Sequence, residues 1–170
     1  PPKPTTEASN LTGVQVAPEL NKRPVTSIMI ENSPDARPQS GLKDAGVVFE
    51  AIAEGGITRF LALFQEAQPD YIGPVRSARP YYLDWALGFD ASYAHVGGSP
   101  DALALIKSLG VKDLDQFSNA GAFQRVTTRY APHNVYTSTA KLDELNTAKG
   151  FTNSKFTSLA RKTTEKPATP

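Results

Sequence analysis

The sequence predicts an α/β (α+β) fold in a single domain: a mixed β-sheet built around a central β-hairpin, with helices packed on it. Three observations predict it. Residues 47–54 and 57–66 are two runs of β-branched, aromatic and small apolar residues flanking Gly55-Gly56, the local signature of a hairpin with a two-residue turn. A strand-like run ending at His95-Val96 passes through Gly97-Gly98 into Ser99-Pro100, which reads as a helix start with serine as cap and proline at the first helical position. Helical and strand-like segments alternate from there on, which favours a mixed sheet covered by helices over a purely parallel doubly wound one.

A chain of 170 residues with 39% hydrophobic content supports one globular domain of roughly 100–150 residues plus tails. Residues 1–20 are rich in Pro, Thr, Ser and Asn and read as a flexible N-terminal linker, because they offer too little apolar surface to offset the entropy of ordering. Residues 21–156 form the globular part. Residues 157–170 read as a C-terminal linker to a further domain. The first residue is Pro1 rather than Met, as expected of a processed or excised piece.

Within the globular part, Arg23-Pro24 leads into a buried strand over 25–31. Pro34 and Pro38 make 32–41 a loop, and 42–45 a short turn. If Gly55-Gly56 is the whole hairpin loop, Glu54 faces Ile57, Ile52 faces Arg59 and Glu50 faces Leu61. Glu50, Ile52 and Glu54 then share one sheet face with Arg59, and Phe49, Ala51, Ala53, Phe60, Ala62 and Phe64 form the core face. Ser77 is the expected cap of a helix that begins near Arg79-Pro80 and ends at Gly88. A strand follows over 91–96 and a helix over 101–109, stopped by Gly110. Residues 111–117 read as a short helical turn, 123–130 as a strand, and the chain from a Thr137 or Ser138 cap through Lys149 as a last helix.

The net charge of +1 provides no overall field to draw the chain to nucleic acid or an anionic membrane, so an anion site has to come from local placement of arginines. The absence of cysteine excludes disulfides, thiolate catalysis and cysteine-ligated metals. No apolar run in the sequence approaches the ~20 residues of a membrane span. The only histidines are His95 and His133, without HxH or HExxH spacing, so neither a metal nor another cofactor is expected.

Candidate chemistry lies in four stretches. Glu50 and Glu54, four residues apart on one strand, fall roughly 7 Å apart if they share a face, a spacing suited to acid/base work on a glycosidic bond. Arg59, Arg76 and Arg79 can grip carboxylates or phosphates through paired N–H groups, and Gly73-Pro74 and Pro80 bracket the last two rigidly. Gly97-Gly98-Ser99 allows a backbone anion cradle at a helix start, although Asp101 at its mouth disfavours one, and the same residues make an ordinary helix entrance. His133 and Asn134 lie in a proline-flanked loop. Tyr81, Tyr82 and Trp85 suit either a sugar face or plain packing.

The stretches FEAIAEGGITRFLALF from Phe49, IGPVRSARPYY from Ile72, HVGGSP from His95 and APHNVYT from Ala131 occur in this order. In this the chain resembles the YerB-like bacterial lipoprotein family, whose members carry a domain of unknown function. The resemblance implies an extracytoplasmic location, a lipid-modified cysteine upstream and a second domain downstream. It carries no established reaction. The family's motifs fall here on Glu50, Glu54, Arg59, Arg76, Ser77, Arg79, His95, Ser99 and His133. The leading expectation is a cell-envelope domain that binds an anionic or sugar-containing ligand, such as peptidoglycan or an anionic polymer, through Glu50, Arg59, Arg76, Ser77, Arg79, Ser99, His133 and Asn134. Contact with the membrane would be made only through an upstream lipid. The alternatives are a cell-wall glycan hydrolase or lyase, with Glu54 as acid/base and His95 or His133 orienting it, and a protein-interaction module using the 81–85 surface.

Overall fold

A computed structural model describes residues 5–162. The chain opens with a two-stranded antiparallel ribbon of β1 (Glu7–Ala8) and β2 (Gln15–Val16), followed by the single turn α1 (Pro18–Asn21). The main sheet holds β3 (Thr26–Glu31), the hairpin strands β4 (Val47–Glu54) and β5 (Ile57–Phe64), β6 (Ser92–His95) and β7 (Lys112–Asp115). The helices α2 (Pro80–Gly88) and α3 (Pro100–Ser108) precede β6 and β7. A second ribbon, β8 (Gln124–Arg125) with β9 (Val135–Tyr136), leads to α4 (Thr139–Ala148).

The sheet order is β4-β5-β3-β6-β7, with β4, β5 and β3 antiparallel and β3, β6 and β7 parallel. The expected mixed sheet is therefore present. Every residue of β3 is buried because both faces of the central strand are covered. Met29 points with Leu61, Leu63 and Tyr93 into a core closed by Tyr82, Leu83 and Ala86 of α2 and Ala102 and Ile106 of α3. Ile28 and Ile30 point the other way, with Ala62, Phe64, Ala94 and Leu114, against Leu142 of α4. This is the period-two alternation of a strand buried on both sides.

Several expectations are corrected. Residues 7–21 are not an unpacked tether. Leu11 is fully buried in the α2–α3 core, and Asn21 side-chain N–H groups donate to Glu7 and to Ala8 O. Residues 1–4 and 163–170 of the expected linkers lie outside the described residues. Residues 111–117 form a strand, not a helical turn. One apolar residue, Leu114, is enough to seat β7 because an edge strand is paired on one side only, and its polar residues meet β6 and the turn beyond it. Residues 123–130 pair only at Gln124–Arg125. The Arg-x-Thr-x-Arg alternation has no apolar face to bury, and Arg129 instead donates to the carbonyls of Asp35 (2.9 Å) and Pro38 (3.1 Å). Helix α2 has Arg79 at its N-cap and no side-chain cap, so Ser77 lies too far back to serve. The caps at Ser99 and Ser138 are as expected, each hydroxyl accepting from the backbone N–H three residues on.

The hairpin turn is closed by Gly55 and Gly56, both at positive φ, as a primed two-residue turn requires. The register departs from the simple expectation. Glu54 faces Ile57, but Ala51 rather than Ile52 faces Arg59, because Ala53 is an extra residue in a β-bulge. The bulge puts Glu50 on the face of Thr58 and Phe60, and Glu54 on the face of Ile57 and Arg59. It also sends Leu61 and Leu63, not only Phe60, Ala62 and Phe64, into a core.

Candidate functional site

Beyond the C-terminal ends of β3 and β6, residues 72–78 run as an irregular strap that completes the backbone pairing of both. Glu31 N–H donates to Pro74 O, Arg76 N–H to Met29 O, Val96 N–H to Arg76 O and Ala78 N–H to Gly97 O. The carboxyl ends of parallel strands are the usual mouth of a site in such sheets, because loops diverge there while the strands stay fixed. Here the strap carries Arg76 and Arg79 into that mouth, next to the hairpin that carries Glu54 and Arg59.

Glu31, the last residue of β3, is the carboxylate on which the mouth converges. It is only 5% exposed. Ser33 Oγ donates to one carboxylate oxygen (2.9 Å), His133 Nδ1 lies 2.9 Å from the other, and Arg76 Nε sits 3.4 Å away as an ion pair. Arg59, equally buried, donates from Nη1 to Ser77 O (2.9 Å) and lies 3.7 Å from Glu54. Burial first, and then the neighbouring Arg76 charge, push the Arg59 guanidinium below the usual arginine range. Arg79 forks onto the outer oxygen of Glu54 through Nε and Nη2, while its Nη1 donates to Ala78 O.

Glu31, Ser33, Ala53, Glu54, Ile57, Thr58, Arg59 and Arg76 enclose a cavity of about 90 Å³. Arg76 is the least satisfied group in it: its Nε is buried and has no hydrogen-bond partner. A buried guanidinium N–H without an acceptor is costly, and an anion in the cavity would supply one. A second, wider cleft of about 430 Å³ opens on the far side of the Glu31–His133 pair.

Of the residues singled out from sequence, Glu54, Arg59, Arg76, Arg79 and His133 meet at this mouth, and Ser77 contributes its carbonyl. The others are elsewhere. Glu50 binds the Thr58 hydroxyl (2.7 Å) and Asn32 (3.3 Å) on the opposite sheet face, and the expected Glu50–Glu54 carboxylate pair does not form. His95 is fully buried, its ring bridging Gly97 O (2.7 Å) and Asp113 (2.8 Å), and it holds the β6–β7 edge together. Ser99 caps α3 and nothing more. The turn before it is no anion cradle, since Gly97 N–H donates to Asp115 (2.8 Å) and Ser99 N–H to Ala78 O (3.3 Å). Gly98 instead allows the strap to pass closely: a Cβ there would lie 2.9 Å from that of Ala78. Asn134 braces the 125–134 loop through Arg125 (3.2 Å) and Val126 O (3.4 Å). Of the aromatic surface, Tyr82 is core and Trp85 stacks on Phe49 with centroids 4.8 Å apart, leaving Tyr81 only partly exposed.

Sequence reasoning missed Glu31 and Ser33. One signal was available: a glutamate closing a strand otherwise buried on both faces must be paired or must reach a mouth.

Comparison with known proteins agrees with this architecture. Residues 11–152 match the family model described as "Protein of unknown function (DUF3048) N-terminal domain". The chain is 40% identical over 142 residues to "Putative lipoprotein YerB" of Bacillus subtilis (strain 168), a match that covers 83% of this chain and 43% of that protein. The crystal structure of YerB protein from Bacillus subtilis superposes with a TM-score of 0.86 at 38% identity, over 92% of this chain and 55% of that one. The chain thus spans about half the length of these relatives. It belongs to the DUF3048 family, as an N-terminal domain of unknown function.

Proposed function

We propose that the domain binds an anionic group of an extracytoplasmic cell-envelope component in the cavity between Arg59 and Arg76. The observation that carries this reading is the buried Arg76 Nε that lacks an acceptor beside a second buried guanidinium. Two neighbouring cations in a partly desolvated cavity are relieved by an anion that accepts from both. A relative that carries the name lipoprotein supports placement at the envelope, with membrane contact through a lipid upstream of this domain. The rival reading, a glycan hydrolase with Glu54 as acid/base, has weaker geometric support: Arg79 and Arg59 engage that carboxylate, and the histidines bond Glu31 and Asp113 instead.

Sedimentation with purified Bacillus subtilis cell wall tests the proposal. The wild-type domain is expected to pellet with the wall and Arg76→Met to stay in the supernatant. Equal pelleting of both, or of neither, overturns it. Release of soluble glycan by the wild type but not by Glu54→Gln would establish the hydrolase instead.

A further inference from the structure

The wide cleft is bounded by Asp35, Thr128, Arg129, Tyr130, Ala131 and His133, and at about 430 Å³ it falls within the range of small-molecule sites, about 300–1,000 Å³. The anion cavity, by contrast, holds about 90 Å³, and with water taking roughly 30 Å³ in the liquid it admits one small charged group and no more. A ligand anchored there must place the rest of its body outside.

The two spaces share a wall. Glu31 lines the small cavity and His133 the wide one, and their side chains touch at 2.9 Å. Ser33 and Asp35, one on each side, are joined by the 3-10 turn Pro34–Ala36.

The chemistry of the wide cleft is also specific. Tyr130 is 92% exposed, so its ring presents an aromatic face to water without packing on the protein. Asp35 and Thr128 add a carboxylate and a hydroxyl. His133 Nδ1 is committed to Glu31, which leaves Nε2 for a ligand. Arg129 is tied to Asp35 O and Pro38 O and acts as a fixed wall. An aromatic face covers the C–H side of a sugar ring, and a carboxylate, a hydroxyl and an imidazole nitrogen match its hydroxyl groups.

We infer that this cleft is a second subsite for a hexose ring, so that the domain's ligand is an acidic sugar, its carboxylate or phosphate between Arg59 and Arg76 and its ring against Tyr130. This deepens the anion-binding reading and rests on it.

Titration calorimetry on the wild type, Tyr130→Ala and Arg76→Met tests it with five probes. These are inorganic phosphate, lactate, N-acetylglucosamine, N-acetylmuramic acid and N-acetylglucosamine 6-phosphate. At least one acidic sugar is expected to bind about tenfold more tightly than its matching anion alone, the share expected of one aromatic platform. Which one does so distinguishes a carboxylate-bearing from a phosphate-bearing hexose. Tyr130→Ala should erase that gain and leave phosphate and lactate affinity unchanged, whereas Arg76→Met should weaken every anion. Because Tyr130 is so exposed, its replacement is expected to leave the melting temperature unchanged.

If phosphate or lactate binds and depends on Arg76, but neither acidic sugar gains, or the gain survives Tyr130→Ala, the subsite is overturned and the anion site stands. If no anion binds, the anion reading falls and this inference with it.

Discussion

Glu50 and Glu54 lie four residues apart on one strand, yet their carboxylates belong to opposite faces of the sheet. The bulge at Ala53 turns the strand over between them. Glu50 joins Thr58 and Asn32 in a surface network, while Glu54 meets Arg79 and Arg59 at the mouth of the cavity. Tyr82 secures this arrangement from α2: its hydroxyl lies 2.7 Å from Ala51 O and 2.9 Å from Arg59 O, where the bulge interrupts the ladder, and Tyr81 reaches Ile52 O beside it.

The separation of the two carboxylates makes their substitutions distinguishable. Glu50→Gln and Glu54→Gln should each change stability by less than about 1 kcal/mol, because both residues are exposed and surface pairs contribute little. Only Glu54→Gln should raise affinity for inorganic phosphate, since it alone releases Arg79 and Arg59 from a competing anion. Calorimetric titration of the two variants checks this. Equal affinities would show that Glu54 does not compete for the arginines.

Glu31→Gln should be far more disruptive. It leaves Arg76 and His133 without their buried acceptor, and breaking one partner of a buried pair costs about 3–5 kcal/mol, somewhat less here because Arg76 and His133 are each 23% exposed. Urea denaturation should show this loss, and adding Arg76→Met should recover part of it. Additive losses would mean that the two residues are not coupled.

His95→Leu removes a fully buried ring from between Gly97 O and Asp113. The expected outcome is a stability loss of about 1–3 kcal/mol from the acceptors left unpaired, with phosphate affinity unchanged. A selective loss of binding in a fully stable variant would return His95 to the site.

Alkaline stability should reflect the buried phenols. Burial pushes the Tyr82 hydroxyl up to about 12, and it also raises that of Tyr93. Below the ordinary tyrosine value, near 10, both states hold the proton and these groups add no pH dependence. Above it the unfolded chain releases protons that the folded one retains. Stability should therefore fall from about pH 10 towards 12. Tyr82→Phe should make that decline shallower, which unfolding measured across this range would reveal.

Two glycines with positive φ should behave differently. At Gly73 a Cβ would meet the Tyr136 ring at 2.6 Å and Val135 O at 2.8 Å, so Gly73→Ala should cost about 1–3 kcal/mol or more in thermal unfolding. At Gly55 nothing lies within 4 Å, and asparagine tolerates its backbone, so Gly55→Asn should stay within about 0.5 kcal/mol of the wild type.

Local chemistry in the sequence was sufficient for the elements whose signals are local. The two-glycine turn, the Ser99-Pro100 and Ser138 helix starts, the apolar run of β3 and the mixed sheet were all legible, because caps, turns and period-two burial act within a few residues. Tertiary structure decided the site. The face on which Glu54 lies depends on one extra residue at Ala53, braced by tyrosine hydroxyls some thirty positions later. His95 and His133 look equally eligible in sequence, but one is enclosed by β7 and the other opens to a cleft. The central role of Glu31 emerges only when Arg76 of the strap and His133 of a distant loop converge on it, and such contacts leave no periodicity for a sequence to display.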